Sequence, residues 1–148
     1  MEAVGERSAE IELSHDRQRS VLGVKFWASA VADVVAVSVF AVVGRISHGE
    51  PADPAGIWHT AWPFLAGTAV GTIVARAWRH PGSMAGGVVI WACTVAGGMV
   101  LRVLSGNTIA FSFVVVAAIS LAVPLLGWRA ICRGITHARA GVRVGAGA

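Results

Sequence analysis

The chain has 148 residues, of which 55% are hydrophobic and only 14% are charged, and its mean hydropathy is +0.69. Soluble domains carry about 25% charged residues, so this composition excludes an ordinary soluble domain and indicates one membrane domain. The formal net charge is +4. Because the basic residues flank apolar segments, they are typical of orientation signals, and we expect no nucleic-acid partner. The skew of the basic residues toward Arg favours a prokaryote with a GC-rich genome.

The sequence divides into three parts. Residues 1–24 are predicted to be a polar cytoplasmic tail, residues 25–130 a transmembrane domain of four spans, and residues 131–148 a basic, flexible cytoplasmic tail. About 25 mostly polar residues precede the first apolar run, whereas a signal peptide places its apolar run almost at the start. We therefore expect residues 1–24 to be a tail rather than a signal peptide.

Four apolar runs predict the fold class, an all-α integral membrane bundle of four transmembrane helices. At 1.5 Å per residue, a run of nineteen residues covers about 28 Å, close to the ~30 Å of bilayer hydrocarbon. In the second run Thr60 is predicted to cap the helix, with Pro63 in its first turn. Pro124 is expected to bend the last helix. The predicted spans are 26–44, 57–75, 86–104 and 108–128.

The distribution of Lys and Arg predicts the orientation of the bundle. Ten basic residues lie in the two tails and in the segment between the second and third spans, whereas the other side of the membrane receives only Arg45 and Arg102. Since the side richer in Lys and Arg is normally cytoplasmic, we expect both termini in the cytoplasm. The location expected is the plasma membrane of a prokaryote, with multiple passes.

Asp33 is a carboxyl group in the middle of the first span. A charged residue at that depth costs about 2.5–3.5 kcal/mol, while each Val or Phe returns about 0.3–0.6 kcal/mol, so we expect Asp33 to face the other helices. Two interpretations stay open: a hydrogen-bonded group that stabilises the bundle, or a proton or cation site. The candidate intramembrane polar site comprises Asp33, Thr72, Thr94 and Ser120.

A second polar group is predicted at the outer boundary, as a polar mouth for an anion or a lipid headgroup. Arg102 lies about 13 Å in depth from Asp33 at 1.5 Å per residue, so we expect it to extend to the interface rather than to pair with that carboxyl. His48, Glu50 and His59 do not match an established ligand spacing, and no metal site is predicted. The candidate outer polar mouth comprises Arg45, His48, Arg102 and Asn107.

No catalytic pattern occurs in the sequence: a GxGxxG motif, a P-loop, a nucleophile elbow and an HExxH helix are all absent. We therefore predict no catalytic residue, no cofactor and no enzyme activity. Gly67 and Gly71 form a small-xxx-small pattern, which indicates helix packing and would also support a homo-oligomer. The remaining expected partners are the lipid bilayer and, at the basic carboxy-terminal tail, anionic lipid.

Several short motifs resemble a known family. They include Gly-Arg-Ile-Ser-His-Gly-Glu (residues 44–50), Ala-Trp-Pro-Phe-Leu-Ala-Gly (61–67), Val-Ala-Gly-Gly-Met-Val-Leu-Arg (95–102) and Gly-Trp-Arg (127–129). Over about residues 24–130 the chain resembles the prokaryotic membrane proteins grouped as domain of unknown function 3054. The resemblance implies a small multi-span protein, and it implies no activity or ligand.

Two functions remain open. The first is a non-catalytic accessory or structural membrane protein, which the lack of a catalytic set favours. The second is a carrier or channel for a small solute, an ion or a proton, acting as a homo-oligomer through Asp33 and the outer group of Arg45, His48 and Arg102.

Overall fold

The structure is a computed structural model that describes the backbone of residues 2–108 and 110–145 and the side chains of residues 18–108 and 110–135. All regular structure in these residues is helical, as the sequence predicts. Four helices follow one another along the chain: α1 Glu2–Ser47, α2 Pro54–Val74, α3 Met84–Leu104 and α4 Phe111–Gly145.

Three segments of these helices are long and apolar enough to cross a membrane: Gln18–Ser47, Met84–Leu104 and Phe111–Ile135. The sequence predicts four such segments. Helix α2 has 21 residues, a sufficient length, but its Trp, His, Pro, Thr and Gly residues make it less apolar than the other three. The structure thus supports a membrane protein, and the fourth crossing remains a prediction.

Helix continues from the apolar segments into both predicted tails, whose cytoplasmic location stays a prediction. Helix α1 begins at Glu2 and continues into the first apolar segment, and α4 extends beyond the apolar segment to Gly145. Extending an existing helix avoids the costly step of nucleation, and neither tail contains a proline. These segments are therefore helical because they extend helices that the apolar segments have already formed.

The four helices form an antiparallel ring in which α1 contacts α2 and α4, and α3 contacts α2 and α4. We call the two ends of this ring the Arg45 end, with the α1–α2 and α3–α4 loops, and the Arg129 end, with the α2–α3 loop. The core between the helices includes Val37, Phe64 and Leu121, each fully buried. The rings of Phe40 and Phe64 meet edge to face, with centroids 5.2 Å apart.

Helices α2 and α3 pack closely because of glycine. A Cβ added at Gly67 would lie 2.7 Å from the carbonyl oxygen of Cys93, and one at Gly71 would lie 2.8 Å from the Cα of Ile90. The predicted helix-packing role of Gly67 and Gly71 is thus met within one chain. This surface is covered by α3, so an oligomer would have to form through a different face.

Helix α2 begins earlier than the sequence predicts. Asp53, not Thr60, is the N-cap, and its Oδ1 accepts a hydrogen bond of 2.9 Å from the backbone N–H of Gly56. Pro54 occupies the first helical position, where its fixed φ favours the helix. As a result Pro63 lies inside the helix rather than in the first turn.

Candidate functional site

A buried ion pair joins the first and last helices at the Arg129 end. Asp33 and Arg129 each expose only 2% of their surface. Arg129 donates from one terminal nitrogen to Asp33 Oδ2 at 2.6 Å and from the other to Oδ1 at 2.8 Å. The two hydrogen bonds make a bidentate pair, which is the strongest arrangement available to an arginine and a carboxylate.

Trp128 and Gly87 complete this site. The indole Nε1 of Trp128 donates to Asp33 Oδ1 at 3.1 Å, and the Arg129 guanidinium lies 4.4 Å from the centroid of the Trp128 ring. Gly87 on α3 leaves room for the arginine, because a Cβ there would lie 2.6 Å from Arg129 Cδ. Residues from α1, α3 and α4 therefore build one closed polar site.

Neither Asp33 nor Arg129 is available to a passing solute in this arrangement. Both carboxylate oxygens of Asp33 accept hydrogen bonds from the protein, and Arg129 also donates to the carbonyl oxygen of Leu125, one turn earlier in α4. Asp33 does not line the large cavity that lies between α1 and α4. The geometry is that of a cross-link between helices.

The other residues of the predicted intramembrane site lie elsewhere. Thr94 Oγ1 is 2.9 Å from Thr68 Oγ1, between α3 and α2. Thr72 donates to the backbone oxygen of Thr68 at 2.8 Å, and Ser120 lines the cavity. Within the described residues the structure does not place any of the three predicted partners on Asp33; the partners are Trp128 and Arg129.

The sequence does not single out Arg129, because it follows the last apolar run, where a basic residue is typical of a membrane boundary. A helical side chain points back toward the amino terminus of its helix. Arg129 therefore extends about one turn deeper into the bundle than its Cα, to the level of Asp33. That direction, combined with the long arginine side chain, is the signal that would have identified it.

The Arg45 end brings together the four residues of the predicted outer polar mouth. Helices α1 and α3 end in the same motif. Glu50 donates its backbone N–H to the carbonyl of Arg45, and Asn107 does so to that of Arg102, at 2.9 and 3.0 Å. A glycine with positive φ precedes each donor: Gly49, with φ 71°, and Gly106, with φ 80°. These C-terminal motifs hold both arginines at one level.

Arg45 is fully engaged by its own loop. It pairs with Glu50 at 2.8 Å and with Asp53 at 3.5 Å, and its Nε donates to the carbonyl oxygen of Pro51 at 2.9 Å. The backbone N–H of Gly56 and then the charge of Arg45 hold the pKa of the exposed Asp53 carboxyl below its ordinary value. Arg45 therefore serves to fix the α1–α2 loop.

Arg102 is the contrasting case. Its Nε is buried without a hydrogen-bond partner, and none of the ion pairs among the described residues includes it. Its guanidinium carbon lies 4.8 Å from the centroid of the Phe113 ring, on the next helix. Arg102 thus presents a partly buried positive charge whose hydrogen-bonding capacity is unused within the part of the chain that the structure describes.

A cavity of about 920 Å³ lies between α1 and α4, starting at the Arg45 end. Arg45, His48, Arg102 and Asn107 all line it, so the predicted mouth is one surface. Deeper in the bundle its lining is mostly apolar. Among the described residues no three His, Cys, Asp or Glu side chains come together as a metal site. The apolar lining includes Val39, Phe40, Val43, Phe113, Val116 and Val123.

Comparison with known proteins identifies a family. No curated protein and no solved structure matches the chain. Residues 30–132 match the family described as "Protein of unknown function (DUF3054)", a segment that contains both partners of the buried ion pair and both arginines of the Arg45 end. Since this segment covers more than half of the sequence, the chain belongs to the DUF3054 family.

Proposed function

We propose that the protein is a non-catalytic accessory or structural protein of a prokaryotic plasma membrane. All four helices cross the bilayer, and both termini lie in the cytoplasm. The observation that carries this proposal is the Asp33–Arg129 pair. An intramembrane carboxylate is the group most suited to moving a proton or a cation, and here it is buried and occupied by hydrogen bonds from its own bundle.

The topology can be tested by cysteine labelling. In a chain with Cys93 and Cys132 replaced by Ser, Ala52→Cys should react with a membrane-impermeant maleimide on intact cells. His80→Cys should react only after the membrane is permeabilised, because α2 separates the two loops. Equal labelling of both positions on intact cells would show that α2 does not cross, and the reversed pattern would place the termini outside.

The structural role can be tested by comparing Asp33→Asn with Asp53→Asn. Both changes remove one carboxylate, but only the first leaves a buried arginine without its partner. We expect Asp33→Asn to lower the melting temperature in detergent strongly and Asp53→Asn to lower it little. Liposomes containing the wild-type protein and a pH-sensitive dye should show no proton flux above empty liposomes. Flux in the wild type that Asp33→Asn abolishes would contradict the proposal.

A second function, a carrier or channel, is favoured by the cavity at the Arg45 end. Its lining combines Arg102 with the deeper hydroxyl of Ser120, and it opens along exposed residues of α1 and α4. A transport route through this cavity would use Arg102 rather than Asp33. Flux of a small anion into liposomes that is lost in Arg102→Gln would support transport over the accessory role.

A further inference from the structure

We propose that the cavity between α1 and α4 binds one membrane lipid with an anionic headgroup, which pairs with Arg102 while an acyl chain fills the apolar part. The inference needs only that the bundle lies in a bilayer, and it goes beyond the accessory role.

The first support is the distribution of charge at the Arg45 end. Glu50 is the one acidic side chain that lines the cavity among the described residues, and it is paired with Arg45 at 2.8 Å. Asp53 also lies 3.5 Å from Arg45, so Arg45 takes up both carboxylates of this loop, and neither forms an ion pair with Arg102 among the described residues. A partly buried guanidinium without a partner is costly, and a phosphate or carboxylate would supply the missing acceptors.

The second support is the shape and lining of the cavity. Along α4 it extends from Ser112 to Pro124, which is about 18 Å at 1.5 Å per residue. Half of the ~30 Å hydrocarbon layer is about 15 Å, so a chain from one leaflet fits within this length. Its volume of about 920 Å³ lies within the usual range for ligand sites, about 300–1,000 Å³.

The third support is lateral access. Val39 on α1 and Val116 on α4 both line the cavity, and they expose 55% and 57% of their surface. In a bilayer such residues face lipid, so a lipid can enter sideways between the helices without leaving the membrane. The headgroup then meets Arg102 at the interface, and Phe113 covers the guanidinium from one side.

The test is native mass spectrometry of the full chain in detergent, titrated with phosphatidylglycerol or phosphatidylcholine of the same acyl composition. We expect one phosphatidylglycerol to bind at least about tenfold more tightly, equivalent to 1.4 kcal/mol. Arg102→Gln should remove this preference. Arg79→Gln, which removes an exposed arginine of the α2–α3 loop, should retain it. Equal binding of the two lipids, or an undiminished preference in Arg102→Gln, would overturn the proposal.

Three further measurements distinguish a bound lipid from a free anion and from a second copy of the chain. Val116→Trp should displace both lipids by filling the cavity, whereas Val70→Trp, on an exposed position outside it, should not.

Inorganic phosphate in excess should fail to displace the lipid; displacement by phosphate alone would assign the site to a free anion instead. A dimer that Val116→Trp dissociates, with no lipid retained by the wild type, would assign the cavity to a second copy. Melting curves of each variant show whether it remains folded.

Discussion

Asp33 and Arg129 are 96 positions apart in the sequence, and their charged atoms approach to 2.6 Å. The pair connects the first helix directly to the last, at the end of the bundle opposite the Arg45 end. Because Trp128 donates to the same carboxylate, two consecutive residues of α4 hold one residue of α1.

The first prediction concerns the energy of this pair. Arg129→Gln leaves Asp33 as an uncompensated buried charge, and loss of one partner of a buried ion pair costs about 3–5 kcal/mol. The double variant Asp33→Asn with Arg129→Gln should recover much of that loss, since it leaves no unpaired charge. Reversible unfolding in mixed micelles gives the four free energies of the double-mutant cycle. Additive losses in the cycle would show that the two residues do not interact.

The second prediction concerns the close contact of α2 and α3. Gly67→Ala would place a Cβ 2.7 Å from a backbone oxygen of α3, and overpacking of this kind costs about 1–3 kcal/mol. Gly127→Ala is the matched control, because no atom lies within 4 Å of its added Cβ. Its stability should be unchanged or slightly raised, given the better helix propensity of Ala. Equal effects of the two substitutions in thermal unfolding would argue against this packing.

The third prediction concerns the room that Gly87 provides. A Cβ at this position would meet the Cδ of Arg129 at 2.6 Å, so Gly87→Ala should move the arginine away from Asp33. In the background of Arg129→Ala the same change should cost less, because alanine has no Cδ. A cost of Gly87→Ala that is the same in both backgrounds, measured by unfolding, would place its effect elsewhere than on the ion pair.

The fourth prediction concerns pH and the start of α2. Asp53 caps this helix as a carboxylate, and its folded pKa lies below the ordinary 3.8. A group with a depressed pKa contributes stability above its unfolded pKa and loses it as the pH falls through the folded pKa. The advantage of wild type over Asp53→Asn should therefore persist above about pH 4 and disappear in more acidic solution. Melting curves at several pH values measure it, and an advantage that grows with acidity would contradict it.

Composition and apolar run length were enough to predict the helical class and the membrane setting, because both depend on local sequence. The group at the Arg45 end was also predictable, since Arg45 and Arg102 each lie the same number of residues before the glycine that follows the end of their helix. The cavity was not predictable from the sequence, because it results from the way in which α1 and α4 pack against each other.

The partner of Asp33 is not predictable from the sequence for a related reason. The sequence gives the depth of a Cα, but an arginine side chain spans more than a helical turn, and its direction decides which carboxylate it meets. Depth alone predicts hydroxyl groups at a similar level, such as Thr94, as the partners. In the structure Thr94 pairs with Thr68 between α2 and α3, which a depth estimate alone could not distinguish.

The distance along the chain between Asp33 and Arg129 has a consequence for biosynthesis. The ribosome releases α1 long before α4, so the carboxyl group enters the lipid while its counter-charge has not yet been made. Until the last helix is inserted, the nascent chain contains an unpaired carboxyl group at a high energetic cost, and no ion pair fixes the position of α1. Closure of the ring therefore coincides with completion of the family segment, and a product truncated before Trp128 should be cleared by membrane quality-control proteases.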